Sequence, residues 1–152
     1  MKRAAFVVAG RLPSPIKRLL TRAASATFLV GVLGIVLDER GRVLLFRHTY
    51  RPFAPWGLPS GLLMPNESPA QAMEREVREE TGLVIEVVGT LELRSGARPQ
   101  RLDVWLQCRS RGGTARLSAE VDEARFFDLD ALPPLIDEQA RFLRDHRSRL
   151  AP

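Results

Sequence analysis

The segment from Ser68 to Gly82 constrains the fold more than any other part of the chain, because it carries both the start and the stop signals of one helix. Ser68 is followed at once by a proline and, three residues on, by Gln71, which is the pattern of an N-cap with a capping box. Gly82 suits the left-handed conformation that ends many helices. We expect one face of this helix to be buried. That face consists of Ala70, Met73, Val77 and Thr81.

The same helix carries a cluster of acids. At 100° per residue, Glu76, Glu79 and Glu80 fall within about 100° of one another, beginning at the edge of the buried face. Like charges at these spacings repel by a few tenths of a kcal/mol per pair, so a helix selected for stability alone would avoid them. One interpretation is a solvated face paired with Arg75 and Arg78. The other is a site for a hard divalent cation, chiefly Mg²⁺ or Mn²⁺, which prefers carboxylate oxygens.

The rest of the sequence predicts mainly strands, so we expect a mixed α/β fold in which helices cover a sheet. The predicted strands cover residues 28–37, 42–47, 83–93, 102–108 and 124–127, with a loop at 48–57 and a turn at 110–114. A terminal helix is predicted over 136–150. Its inward residues are predicted to be Ile136, Ala140, Leu143 and Leu150.

Residues 1–26 are predicted to form an extension to the main domain, which covers 27–152. Six basic residues and no acid lie within residues 1–25. Ser14 and Pro15 resemble a helix start, and the residues that follow have one short apolar stripe. This helix either packs on the domain or on a second subunit, or lies on a membrane surface as a basic amphipathic helix. A single short stripe favours packing.

Composition narrows the class of protein. The chain has 152 residues and one cysteine, Cys108, so an internal disulfide and a cysteine-rich metal site are excluded, and we expect a cytoplasmic protein. The longest apolar run, over residues 28–37, is too short to span a membrane, so no membrane association is expected through it. The net charge is +5, and all but two of the 23 basic residues are arginines. Such a positive field attracts anions, including phosphates and nucleic acid.

The stretch around the acidic helix resembles the Nudix box. The box consists of a glycine, a glutamate after five residues, and seven residues later the run Arg-Glu-aliphatic-any-Glu-Glu-any-Gly-aliphatic. Residues 61–83 match it at every fixed position, the segment 56–59 resembles the usual lead-in, and 120–133 resembles the closing segment. The matching residues are Gly61, Glu67, Arg75, Glu76, Val77, Glu79, Glu80, Gly82 and Leu83. The resemblance implies the Nudix fold, a mixed sheet sandwiched between helices.

The resemblance also implies the activity of a Nudix pyrophosphohydrolase, which cleaves a nucleoside diphosphate linked to another group. It makes Glu76, Glu79 and Glu80 ligands of Mg²⁺ or Mn²⁺, with the carbonyl of Ser60 as a fourth ligand. Many family members carry glycine where this chain has Ser60, but any residue supplies a carbonyl. Divalent ions would invert the local charge of the acids and lower the pKa of a bound water.

The roles of the other box residues follow from the same resemblance. Glu67 supports the site or shares a metal, and Arg75 is expected to clamp a carboxylate rather than to act in catalysis. Three acids are candidates for the general base. They are Glu76 in the helix and Glu120 and Glu123 in a later segment.

Candidate substrate contacts lie at the end of the second strand and on a later strand. Arg47, His48, Tyr50 and Arg51 are expected to reach phosphate or ribose, although for His48 the interpretation as a surface histidine is slightly favoured. Trp105 lies on the polar face of its strand, opposite the core-facing Leu102, Val104 and Leu106. It either stacks on a nucleobase, which is worth about 1–3 kcal/mol, or packs under the terminal helix.

The leading substrates are ADP-ribose-like sugars and (d)NTPs, and RNA with a 5′ phosphate end is the second choice because of the arginines. A rival of another class is a non-catalytic Nudix domain that senses a nucleotide, but such a domain would be expected to have lost glutamates of the box. The loop 62–65 is unusually apolar. It faces either an apolar part of the substrate or a partner subunit in a homodimer.

Overall fold

The computed structural model describes residues 13–16, 27–97 and 100–150. Within them the chain forms seven strands and three complete helices, besides the helical residues 14–16. The strands are β1 Leu29–Leu37, β2 Val43–His48, β3 Trp56–Gly57, β4 Ser60–Leu62, β5 Leu83–Ala97, β6 Gln100–Gly113 and β7 Val121–Phe127. The helices are α1 Pro69–Thr81, α2 Asp137–Asp145 and α3 Arg147–Leu150.

The sheet is mixed and is organised around β1. Its order is β3-β2-β1-β6-β5, with β4 paired to β1 and β7 paired to β2. β1 runs parallel to β6 along its whole length, whereas every other pairing is antiparallel. On its other side β1 pairs with β4 over Gly31–Leu33 and with β2 at Leu37. The β4 end of this arrangement carries the loop that leads to α1.

Two cores form because β1 alternates between them. Val32 and Val36 pack in a core with α1, and Leu33 and Ile35 pack in a second core with α2. A strand that is buried on both faces shows a continuous apolar run, as β1 does. The sheet is therefore covered by α1 on one side and by α2 on the other, which is the mixed α/β sandwich that the sequence predicts.

Some details of the predicted elements are wrong. The turn expected at 110–114 is mostly strand, because β6 continues to Gly113 and pairs with the start of β5. β3 lies within the predicted loop 48–57. The terminal helix breaks at His146, and its inward side includes Gln139 and Phe142, whereas Ile136 is exposed. In α1, Ala72 rather than Ala70 is buried.

Residues 14–16 of the predicted N-terminal helix are helical, and the rest of that helix lies outside the described residues. None of the helices seen in the described ranges has the length and apolar character needed to cross a membrane.

Candidate active site

The ends of α1 form as the sequence predicts. The hydroxyl of Ser68 accepts a hydrogen bond from the backbone N–H of Gln71 at 3.3 Å, and the Gln71 side chain accepts one from the N–H of Ser68 at 2.8 Å. Gly82 adopts φ of 71° and donates its N–H to the carbonyl of Arg78. These local contacts fix where the helix begins and ends, and hence the angular positions of its glutamates.

Arg75 binds the loop before the helix to the helix itself. Its guanidinium donates to Glu67 at 2.8 and 3.1 Å and to the carbonyl of Leu62 at 3.0 Å. It also lies 2.8 Å from Glu76 and 3.3 Å from Glu79. The hydrogen bonds from Arg75 hold the pKa of Glu67 below its ordinary value. Arg75 therefore makes the contacts of a clamp on carboxylates.

Gly61 is required by close approach rather than by backbone strain. A Cβ added at this position would overlap the carboxylate of Glu76, and Gly61 is not among the residues with positive φ. The Glu76 side chain is only 16% exposed. The glycine of the box thus makes room for the first glutamate of the cluster.

Glu80 is the acid with the most unusual surroundings. Its Oε2 atom is buried and has no hydrogen-bond partner among the residues that the structure describes. Burial raises the pKa of Glu80 to about 7, with further increases from Glu76, Glu120 and Glu79 and a partial offset by Arg51. A buried carboxylate beside other carboxylates needs a positive partner to ionise at neutral pH.

The carbonyl of Ser60 lies on the same edge of β4 as that of Leu62. The antiparallel register places the hydrogen bonds to β1 at Pro59, which accepts from Gly34, and at Leu63, which donates to Val30. Because alternate peptides of a strand point to the same side, the carbonyls of Ser60 and Leu62 point away from β1. The carbonyl of Leu62 accepts from Arg75 on that side. Ser60 therefore presents its carbonyl towards the edge that faces Arg75.

The three glutamates of the cluster do not converge on one point as their side chains stand. In the part of the chain that the structure describes, no three His, Cys, Asp or Glu side chains are placed to hold one ion. Arg75 forms ion pairs with Glu76 and Glu79, and the Glu79 side chain is 62% exposed. The donors are nevertheless all oxygens, and Glu80 has a buried oxygen to which nothing in residues 13–16, 27–97 and 100–150 forms a hydrogen bond. This donor chemistry fits a hard divalent cation.

Glu120 lies beside the end of α1. The segment before it is tied to the helix, because the N–H of Ser118 donates to the carbonyl of Glu80 at 2.9 Å. The carbonyl of Glu120 in turn accepts from the N–H of Thr49 at 3.0 Å. Glu120 is exposed, and its charge is one of those that raise the pKa of Glu80. The structure thus brings this base candidate to the glutamate cluster.

The other two base candidates have cationic partners. Glu123 lies opposite Arg47 in the β2–β7 register, and its carboxylate is 3.7 Å from the Arg47 guanidinium. Glu76 is held by Arg75. Of the three acids, only Glu120 combines exposure with proximity to Glu80.

The residues at the end of β2 differ in their surroundings. The interpretation of His48 as a surface histidine is wrong, because the residue is 2% exposed. Burial, followed by the charge of Arg51, lowers the pKa of His48 to about 4. Arg47 is paired with Asp122 at 2.7 Å, and Tyr50 is 59% exposed.

Trp105 is not available to stack on a nucleobase. It is 1% exposed, and its ring stacks on Phe142 of α2 with centroids 3.8 Å apart. Phe142 stacks in turn on His146. The alternative of packing under the terminal helix is therefore the one that the structure shows. The polar neighbours of Trp105 on this face do not indicate exposure, because α2 covers the face of the sheet on which Trp105 lies.

Sequence reasoning missed Gln139. This side chain is 3% exposed, and its Oε1 accepts a hydrogen bond from the N–H of Leu58 at 2.9 Å. The contact joins α2 to the segment that leads to β4 across 81 positions of sequence. The polar residue on the inward face of a predicted helix was the only signal in the sequence.

Comparison with known proteins adds the family context. The sequence model of the NUDIX domain matches residues 27–146. An ADP-ribose pyrophosphatase of Methanocaldococcus jannaschii is 30% identical over 122 residues, which are 77% of this chain and 72% of that protein. An NAD-capped RNA hydrolase, NudC, of Stutzerimonas stutzeri is 35% identical over 114 residues, which are 72% of this chain but 41% of that protein.

A solved structure is also similar to this chain. The crystal structure of an ADP-ribose pyrophosphatase from Streptococcus suis superposes with a TM-score of 0.65 at 27% sequence identity. The superposition covers 75% of this chain and 84% of that chain.

Proposed function

The chain belongs to the NUDIX domain family, and from this premise we propose that it is a metal-dependent hydrolase that cleaves the diphosphate linkage of nucleoside diphosphates joined to another group. The observation that carries the proposal is the buried oxygen of Glu80, which lacks a hydrogen-bond partner in the described part of the chain and lies near Glu76, Glu79 and Glu120. Such an arrangement of acids would repel a diphosphate unless cations were present. ADP-ribose-like sugars are the leading substrates, and the similarity to ADP-ribose pyrophosphatases of Methanocaldococcus jannaschii and Streptococcus suis supports that choice.

Glu76, Glu79, Glu80 and the carbonyl of Ser60 are the groups that would hold Mg²⁺ or Mn²⁺. When bound, the ion supplies positive charge against the phosphates and a water of lowered pKa. The contacts of Arg75 support this assignment, because it binds Glu67 and the carbonyl of Leu62 in the box loop while contacting Glu76 on the helix. Glu67 therefore acts as a support of the site in this proposal.

Glu120 is the residue that we assign as general base. Its exposure and its position beside Glu80 support this role, whereas Glu123 and Glu76 are each held by an arginine. In the reaction, Glu120 accepts a proton from the water that attacks phosphorus. A cation held by the glutamates, together with nearby arginine, would neutralise the charge that develops on the phosphoryl oxygens.

Tyr50 takes the place of Trp105 as the candidate contact for the nucleobase. Its ring is 59% exposed, and the guanidinium carbon of Arg51 lies 5.6 Å from its centroid. An exposed aromatic ring can stack on a base, which is worth about 1–3 kcal/mol. Tyr50 follows Thr49 in the segment after β2. Because the N–H of Thr49 donates to the carbonyl of Glu120, Tyr50 lies beside the Glu120 loop.

A panel of nucleotides with and without EDTA tests the proposed function. We expect release of phosphorylated products from ADP-ribose or a dNTP in Mg²⁺ or Mn²⁺, and none in excess EDTA. Glu80→Gln keeps the shape of the side chain and removes its charge, so it should lower kcat by orders of magnitude. Glu74→Gln changes an acid of the same helix outside the cluster and is the matched control.

Two results would contradict the proposal. Undiminished turnover in EDTA would exclude the metal-dependent mechanism. Nucleotide binding without turnover of any substrate would instead favour the sensor domain. An RNA 5′ end is the second candidate substrate, supported by the relative that hydrolyses NAD-capped RNA. It belongs in the same panel.

A further inference from the structure

The chain crosses between two strands of the sheet just before Ser60. β1 and β2 pair with each other at Leu37 and Val43. Elsewhere β3 pairs with β2, whereas β4 pairs with β1. Leu58 and Pro59 connect β3 to β4, so they carry the chain from the β2 side to the β1 side. Both residues of this crossing are buried.

The crossing has a single backbone N–H, that of Leu58, because Pro59 has none. The carbonyl of Pro59 accepts from the N–H of Gly34 on β1 at 2.9 Å. The N–H of Leu58 donates instead to a side chain, the Oε1 atom of Gln139 on α2, also at 2.9 Å. A buried N–H that loses its partner is costly, so this bond holds the crossing in one position.

Gln139 is itself held firmly by the helix that carries it. Its side chain is 3% exposed and lies on the inward side of α2. Phe142 and Leu143, one turn further on, pack in the same core as Leu58. Phe142 also stacks on Trp105 of β6. Because α2 is anchored in this way, Gln139 presents a fixed acceptor to the crossing.

The crossing determines where the carbonyl of Ser60 lies, because Ser60 follows it directly and begins β4. That carbonyl points away from β1, on the same edge as the carbonyl of Leu62, which accepts from Arg75. Arg75 therefore holds the end of β4 from α1, and Gln139 holds the residues before its start from α2. Two helices on opposite faces of the sheet thus position one short strand.

We propose that Gln139 is a positioning residue for the metal site, which acts by holding the segment that presents the Ser60 carbonyl. The inference rests on the proposed function, because only there is Ser60 a ligand of Mg²⁺ or Mn²⁺. Replacing a group that orients a metal ligand commonly costs roughly 10–100-fold in metal affinity. Loss of the Gln139 acceptor therefore weakens metal binding although every ligand is still present.

Direct titration with Mn²⁺ tests the proposal without turnover. Free Mn²⁺ is measured by electron paramagnetic resonance with the wild type, Gln139→Met and Gln139→Glu. Gln139→Met keeps the length of the side chain but removes the acceptor, so the Mn²⁺ affinity should fall by roughly tenfold or more. Gln139→Glu keeps an acceptor oxygen for Leu58 and should retain most of the affinity.

Metal dependence of the rate gives a second readout. The Mg²⁺ concentration for half-maximal hydrolysis should rise in Gln139→Met by a similar factor, while kcat at saturating Mg²⁺ changes less. Gln139→Asn shortens the side chain by one methylene, so its oxygen no longer reaches Leu58, and it should show the same losses. It provides the test if the methionine variant does not fold.

Two control variants separate positioning from stability. Leu143→Ala removes a buried side chain of the same helix and leaves the bond to Leu58 intact. It should lower the melting temperature without changing the Mn²⁺ affinity. Glu80→Gln identifies the Mn²⁺ that the glutamate cluster holds, because it removes a proposed ligand. Thermal melting of each variant verifies the fold.

Wild-type Mn²⁺ affinity in folded Gln139→Met would overturn the proposal. An equal loss of affinity in Leu143→Ala would also overturn it, because the effect would then follow the stability of α2 alone. Failure of the proposed function gives a different result. In that case the wild type binds no Mn²⁺ that Glu80→Gln removes, and both proposals are contradicted together.

Discussion

At the scale of single residues, the glycine of the box has a function that its conformation does not reveal. Gly61 has no positive φ, yet a methyl group there would overlap the carboxylate of Glu76. We predict that Gly61→Ala displaces Glu76 and lowers kcat by orders of magnitude, because the cluster loses a carboxylate from its position. Steady-state kinetics with ADP-ribose measures the effect, and circular dichroism verifies the fold.

Gly89 provides the matched control for this substitution. A Cβ there meets nothing within 4 Å, and its φ is not positive. Gly89→Ala should therefore leave kcat and the melting temperature near their wild-type values. If Gly61→Ala also retained wild-type kcat, the position of Glu76 would not matter to the reaction.

At the scale of secondary-structure elements, Trp105 fixes α2 to the sheet. Its ring lies between β6 and Phe142, and Arg94 lies over the same two rings. We predict that Trp105→Ala lowers the free energy of unfolding by about 3–5 kcal/mol, since a large buried ring is removed. Urea denaturation measures the loss.

For Tyr50→Ala we predict the reverse of Trp105→Ala: an effect on substrate binding rather than on stability. Its ring is mostly exposed, so the unfolding free energy should change little, whereas KM for a nucleotide should rise. A Trp105→Ala protein of normal stability with a raised KM would contradict the assignment of these two aromatics.

The turn between β1 and β2 depends on one acid. Asp38 accepts hydrogen bonds from the backbone N–H groups of Arg40 and Arg42 at 3.0 and 2.9 Å, and its side chain forms an ion pair with Arg42 at 2.7 Å. Burial raises the pKa of Asp38, but these bonds outweigh burial and hold the pKa below 3.8. Asp38→Asn should therefore lower the unfolding free energy by about 1–3 kcal/mol at neutral pH.

The pH dependence of this effect has a definite sign. A carboxyl whose pKa is lower in the folded state stabilises the fold above its unfolded pKa, and this stabilisation is lost as the pH falls through the folded pKa. The difference between wild type and Asp38→Asn should thus shrink below about pH 3.8. Glu39→Gln, in the same turn, is the control. A difference that stays constant from pH 7 to pH 3 would contradict the role of the charge.

Local signals explain which elements could be predicted. The capping box of α1 and the Gly82 cap depend on residues a few positions apart, so the sequence predicts both ends correctly. The length of β6 depends on its pairing with β5, in which Leu83 lies opposite Gly113, and no local pattern contains that partner. The adjacent Gly112 and Gly113 therefore predict a turn where the structure has the end of β6.

The same reasoning applies to the candidate site. The angular positions of the glutamates around α1 follow from helical periodicity. The clamp role of Arg75 follows from the family resemblance. The burial of His48 depends on Gly57 of β3 and Gln139 of α2, which lie close to it. Whether the Trp105 ring is buried depends on where α2 packs against the sheet. These facts require the tertiary structure.

At the scale of the whole molecule, the arginines are distributed rather than gathered. Many are paired with acids on different strands and loops. Such pairs are Arg47–Asp122, Arg94–Glu92, Arg101–Asp103, Arg111–Glu86 and Arg147–Asp130. A nucleic-acid footprint needs unpaired positive charge on one face. The net charge of +5 therefore supports general attraction of anions more than specific binding of RNA.

The apolar loop before α1 is a second surface feature at this scale. Leu62 is 47% exposed and Met64 is 54% exposed. Both interpretations of this loop, a contact with an apolar part of the substrate and a contact in a homodimer, stay predictions.

Ionic strength distinguishes the two candidate substrate classes. Binding of an RNA releases counterions in proportion to the phosphates contacted, so its affinity falls steeply with salt, whereas a small nucleotide makes few such contacts. We predict that kcat/KM for ADP-ribose changes little between about 50 and 200 mM salt, while that for a 5′-triphosphorylated or NAD-capped oligonucleotide falls by at least roughly tenfold. Arg111→Gln changes an arginine that pairs with Glu86, outside the cluster, and should leave the ADP-ribose values unchanged. A higher kcat/KM for the oligonucleotide at the upper salt concentration would reverse the ranking, because specific contacts would then outweigh the loss of general attraction.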